Sequence, residues 1–249
     1  MPYFNYHSKR VHYVSRGDGE VLIILPGNTA SSVAHQAQME VYGENYFVVS
    51  PDYLGVGRSD RLDEWDPDWW EDAADQVMAL IKHLNCDQAS VMGTSGGSVV
   101  AMHLAARHPQ KVRALVLDSF TSTFRPSILE KNVIQARSDP NEMQRQFWEF
   151  CHGSDWEEVV AQDTQILRGL VKRGGDWLKD APEKITCPVL LIGSKEDGFL
   201  PNIEKDYHQL AERIKDARVK LAKEGGHPLM WTNPEFFNSK VMRYLRKLR

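Results

Sequence analysis

The chain has 249 residues, of which 42% are hydrophobic and 26% charged, and its formal net charge is −4. That length buries a substantial core. The acidic balance, with no basic block interleaved with aromatics, excludes nucleic acid and anionic membrane as main partners. The three cysteines Cys86, Cys151 and Cys187 are far apart and lack CxxC spacing, which points to a reducing compartment and away from zinc. Residues 1–10 hold no apolar leader and no run nears 18 apolar residues, so the expected setting is cytoplasmic, without a membrane partner.

In chain order, Tyr3–Tyr6 and Val11–Ser15 alternate as strands do, and Arg16-Gly17-Asp18-Gly19 turns into the apolar run Val21–Leu25. Continuous rather than alternating apolar residues predict a strand covered on both faces; Tyr46–Ser50 is another. Asp66 as N-cap, with Pro67 at the first position, predicts a helix whose buried stripe is Val77, Leu80, Ile81 and Leu84. A strand at Ala89–Met92, a helix over Ser98–Ala106 and a strand at Val112–Leu117 follow. Residues 120–185 break the alternation with short amphipathic helices. A strand at Val189–Ile192, a helix near Ile203–Ile214, a short strand at Val219–Ala222 and a helix capped by Asn233 and opened by Pro234 complete the chain. Its buried stripe is Phe237, Val241 and Leu245, and Arg243, Arg246, Lys247 and Arg249 complement its C-terminal dipole. The rhythm predicts an α/β fold: a mostly parallel sheet flanked by helices, residues 1–119 and 186–249, with residues 120–185 inserted as a helical cap.

Gly93-Thr94-Ser95-Gly96-Gly97 falls where a strand turns into a helix, the setting of a nucleophile elbow. Chance gives G-x-S-x-G in roughly one chain in twelve of this length, so the surroundings decide. A serine needs an oriented base. Among nine histidines, His227 stands apart in the loop Glu224-Gly225-Gly226-His227-Pro228 between the last strand and the last helix. Asp197, in the loop after Val189–Ile192, is the carboxylate to orient it; the adjacent Glu196 and Asp118, at the end of its strand, are rivals. The order Ser95, Asp197, His227 is that of α/β-hydrolase sheets. For a developing oxyanion the donors are the amides of Gly96 and Asn28, the latter in Pro26-Gly27-Asn28-Thr29, with Thr29 as alternative. Pro51–Ser59 fails as a dinucleotide loop, lacking the third glycine of GxGxxG and an immediate helix, and reads instead as a tight loop under the site. No HExxH or other metal-ligand spacing occurs.

Jointly, the Gly-Thr-Ser-Gly-Gly elbow, Pro-Gly-Asn in place of the usual His-Gly-x loop, Asp-Tyr-Leu-Gly-Val-Gly-Arg-Ser, Asp197 four residues before Pro201, and Gly-Gly-His before the last helix resemble the α/β-hydrolase superfamily. Within it, length and a small cap are most similar to valacyclovir-hydrolase-like esterases. In the family pattern the acid follows Gly by three residues, a place Glu196 holds here, while the spacing to Pro201 favours Asp197. The resemblance implies a serine hydrolase of small carboxylic esters, activated amides or thioesters, working through an acyl-enzyme on Ser95 and needing no cofactor. Phe147, Trp148 and Trp177 from the cap, with Phe120, Phe199, Met230 and Trp231 from core loops, are the expected substrate contacts, plain packing being the competing role of each. C–C bond hydrolases and peroxidases share fold and triad, and a non-catalytic ligand-binding protein is the alternative from another class. Neither acyl group, leaving group nor oligomeric state is readable.

Overall fold

The computed structural model describes residues 2–248; Met1 and Arg249 lie outside the described residues. An eight-stranded sheet runs in the order β1-β2-β4-β3-β5-β6-β7-β8. Its strands are β1 (Tyr3–Tyr6), β2 (Lys9–Arg16), β3 (Val21–Leu25), β4 (Phe47–Pro51), β5 (Ala89–Thr94), β6 (Val112–Asp118), β7 (Val189–Ser194) and β8 (Ala217–Ala222). The pairs β1/β2 and β2/β4 are antiparallel, and every pair from β4 to β8 is parallel. The chain belongs among mixed α/β folds because the parallel strands are apolar on both sides.

Strand alternation divides the core into two layers. Leu22 and Ile24 of β3 face α1 (Gln36–Gly43) and α11 (Pro234–Arg246), packing with Tyr42, Phe237, Val241 and Leu245. Ile23 and Leu25 face the opposite side, with α2 (Trp69–His83), α3 (Gly96–Arg107) and α9 (Ile203–Arg213), where Val77, Ile81, Val99 and Tyr207 are buried. Between β6 and β7 lie α4 (Pro126–Ile128), a π-helical stretch Leu129–Gln135, α5 (Ala136–Ser138), α6 (Glu142–His152), α7 (Trp156–Lys172) and α8 (Ala181–Lys184). Phe124, Val133, Ile166 and Leu167 of this insertion join the buried cluster of the α2–α3 side. A last short helix, α10 (Leu229–Thr232), precedes α11.

Two local expectations are corrected. Helix α2 starts at Trp69 with Asp68 as its cap residue, because the Asp66 carboxylate turns to accept the Asp68 amide at 2.7 Å. The Trp69 ring meanwhile stacks on Trp65, centroids 5.3 Å apart. Helix α1 lies where strands alone were expected; its buried face is only Gln38, Met39 and Tyr42, too sparse to show a period. At α11 the Asn233 side chain accepts the Phe236 amide at 3.3 Å, as its position predicts.

Candidate active site

The C-terminal ends of four parallel strands converge on one place. Ser95 sits between β5 and α3 at φ 51° and ψ −123°, a left-handed backbone that costs a non-glycine residue about 1–3 kcal/mol and persists only when its surroundings impose it. They do: the Ser95 amide donates to Asp118 O at 2.8 Å, and the Ser98 hydroxyl bonds Gly93 O at 2.8 Å. A Cβ at residue 93 would run into the carbonyl of Gly97, and one at residue 97 into those of Leu25 and Pro26. The two glycines therefore close the turn and let it approach β3.

His227 comes from the β8–α10 loop. Its Nε2 accepts from Ser95 Oγ at 3.2 Å, while its Nδ1–H donates to Asp197 Oδ2 at 2.9 Å. Asp197 is fully buried, and its other oxygen accepts the amides of Phe199 and Leu200 at 2.9 and 3.2 Å. Those bonds fix the carboxylate, which fixes the imidazole tautomer, which leaves Nε2 an acceptor toward the serine. Phe199 stacks on the imidazole, centroids 4.7 Å apart.

Neither rival acid touches the ring. Glu196 is exposed and donates only its amide, to Ser194 Oγ at 3.1 Å. Asp118 is buried, which pushes its carboxyl up to about 7 against hydrogen bonds from the Met230 amide, Ser119 Oγ and Thr94 Oγ1. It ties the end of β6 to the loop after His227.

Gly96 opens α3, so its amide has no acceptor within the helix. The Asn28 backbone and side chain pack against Gly96: a Cβ there would lie 3.3 Å from Asn28 N and would overlap Asn28 Oδ1. Thr29, the alternative donor, holds φ 57°, and its carbonyl accepts from His152 Nε2 at 3.1 Å. Nearby, Asp52 is buried. Burial alone would raise its carboxyl, but hydrogen bonds from His12 and the amides of Arg58 and Ser32 hold it below the ordinary range. The loop Pro51–Ser59 thus grips the segment that carries Asn28 from both sides, through Asp52 to the Ser32 amide and through the Tyr53 hydroxyl to Pro26 O at 3.4 Å.

Ser95, Asn28 and His227 open onto a cavity of about 380 Å³. Five of the seven expected contacts line it: Phe147, Trp148, Trp177, Phe199 and Trp231. Phe120 and Met230 do not. Phe120 packs behind the site on Tyr207, with centroids 5.5 Å apart, and Met230 is buried in the layer under α11, one helical step from the cavity-facing Trp231. Sequence reasoning missed several wall residues of the insertion, among them Phe124, Val133, Leu167 and Arg137; amphipathic helices signal that a face is buried but not which neighbour covers it. Among the described residues no group of three or more His, Cys, Asp or Glu is arranged to hold a metal, and no helix is long and apolar enough to cross a membrane.

Residues 20–152 match the model of the alpha/beta hydrolase fold family. RutD of Rhizobium rhizogenes, a protein named for carbamate hydrolysis, is 25% identical over 95% of this chain and 96% of its own. Serine hydrolase BPHL of Mus musculus is 27% identical over 95% of this chain and 83% of its own. Among solved structures, the esterase EaEST from Exiguobacterium antarcticum superposes with a TM-score of 0.78 at 20% identity, covering 96% of each chain.

Proposed function

The chain belongs to the alpha/beta-hydrolase fold family, and on that premise we propose that it is a serine hydrolase of small carboxylic esters or related activated acyl compounds. The observation that carries this reading is the relay Ser95 Oγ–His227–Asp197, at 3.2 and 2.9 Å, with Ser95, His227 and Asn28 lining one cavity. The names of the carbamate-hydrolase and serine-hydrolase relatives agree with it.

In the proposed reaction Ser95 Oγ attacks the carbonyl carbon as its proton passes to His227 Nε2. The carbonyl oxygen takes the electron pair and is held by the amides of Asn28 and Gly96, placed before charge develops. The bond to the leaving oxygen then breaks, and His227 returns its proton to that oxygen. Water repeats the sequence against the acyl-enzyme, with His227 again as base, and releases the acid. Asp197 keeps the imidazole oriented and stabilises its charged form. Residues 120–185 act as the cap, and the aromatic walls with about 380 Å³ of space select an apolar acyl or alcohol portion.

Labelling with a fluorophosphonate, read by intact mass and peptide mapping, tests the reading. A single adduct on Ser95 and turnover of p-nitrophenyl butyrate are expected. An unlabelled Ser95, where a control esterase reacts, would sink it.

A further inference from the structure

Asn28 is held from above by its side chain. Its Nδ2 donates to Asp163 Oδ2, and its Oδ1 accepts from Trp70 Nε1 at 3.4 Å, so both ends of the amide have partners and its orientation is set. Asp163 belongs to α7 and is fully buried, and its second oxygen pairs with Arg137 Nη1 at 2.7 Å. The next residues are tied in the same way. His152 of α6 accepts the Gly57 amide on Nδ1 at 3.2 Å, so the ring proton is on Nε2, which donates to Thr29 O at 3.1 Å. Burial holds His152 below the ordinary histidine range, in keeping with this neutral form. Ser31 Oγ donates to Cys151 O at 2.9 Å. Residues 28, 29 and 31 are thus each bonded to the insertion, around the left-handed Thr29.

We propose that Asp163 and His152 are positioning residues that hold the Asn28 amide in its oxyanion-binding place, so that the insertion sets transition-state stabilisation as well as pocket shape. The inference rests on the serine-hydrolase reading. A buried carboxylate is costly unless it is paired; Asp163 has the ion pair to Arg137 and the bond from Asn28, and its Oδ1 accepts no hydrogen bond among the described residues. The bond from Nδ2 ties Asp163 to Asn28, whose backbone nitrogen lies beside Gly96, the residue after the nucleophile. Freed from Asp163, Asn28 loses the bond that fixes its peptide plane, and displacement of a catalytic group by about 1 Å costs about 10² in rate.

The test is kinetics of p-nitrophenyl butyrate hydrolysis by D163A, D163N, N28A and D163A/N28A, with thermal unfolding of each. D163N keeps an oxygen to accept from Asn28; N28A keeps the backbone amide and leaves Asp163 its partner Arg137. The expected result is a drop in kcat of about 10² in D163A and N28A, with KM within about threefold. D163N should regain most of it, and the double variant should fall no further than either single one. Affinity for a trifluoromethyl ketone transition-state analogue should fall in step with kcat. A cooperatively folded D163A or N28A with wild-type kcat, an effect confined to KM, or losses that multiply in the double variant would overturn the proposal. If wild-type protein neither turns over the ester nor takes fluorophosphonate, the hydrolase reading fails, and amide exchange at residues 27–31 then tests the clamp alone. Faster exchange in D163A upholds it, and unchanged exchange overturns it.

Discussion

The sheet ends and the insertion hold their residues around one cavity by different means. On the sheet side the backbone does the work: Ser95 through its amide to Asp118 O, and Asp197 through the amides of Phe199 and Leu200. On the insertion side, side chains pack on side chains, Trp148 on Trp156 and Phe147 on Trp231. A group held by backbone bonds keeps its place when a neighbour is substituted, whereas a wall of side chains repacks. Substitutions at the strand ends should therefore change kcat, and substitutions in the walls should change KM and substrate range.

The sharpest way to break that contrast is S95A, which should lower kcat by about 10⁶, as removal of a triad nucleophile does. D197N comes next, with a loss of about 10⁴ from the wrong imidazole tautomer; a loss below tenfold would show that another acid serves His227. G96A sits on the seam between the two regions. Its Cβ would displace the Asn28 side chain from Asp163 and Trp70, and kcat of the folded variant should fall by about 10²–10³; an unchanged kcat would place the oxyanion elsewhere.

A smaller effect separates the regions by stability. His35 is fully buried beside Trp231, with no hydrogen-bond partner on either nitrogen among the described residues, and burial lowers its pKa from 6.5 to about 4. The unfolded chain takes up the proton first as pH falls. Native stability is thus intact above about 6.5 and declines toward pH 4, by roughly 3 kcal/mol from this group alone. Asp118, raised to about 7, works in the opposite sense, so the difference between wild type and H35L isolates His35. Urea unfolding of the two from pH 7 to pH 4 should show a shallower acid slope in H35L, and parallel slopes would refute the assignment. E196Q is the smallest: its carboxylate touches nothing in the site, and activity should stay within about twofold of wild type.

Sequence patterns that are local proved legible. Continuous apolar runs marked β3 to β7, and glycines two residues either side of Ser95 marked a turn whose carbonyl contacts leave no room for Cβ atoms. The site contacts were legible only in part, because a one-residue step on a short helix turns a side chain by about 100°. That step separates Trp231 in the cavity from Met230 in the core. Asp163, Arg137 and His152 carried no signal at all. Their partners lie far along the chain, and a buried polar residue on an amphipathic helix looks, in sequence, like any residue of its polar face.

The overlap between a Cβ at position 96 and the Asn28 side chain makes these two positions an interlocked pair. A side chain at position 96 is shut out while residue 28 carries its branched amide. Residue 28 must shorten first, and with it goes the bond to α7. Diversification of this pocket is thereby ordered: the permissive step precedes the useful one, and it loosens the hold on the insertion before it adds anything to recognition.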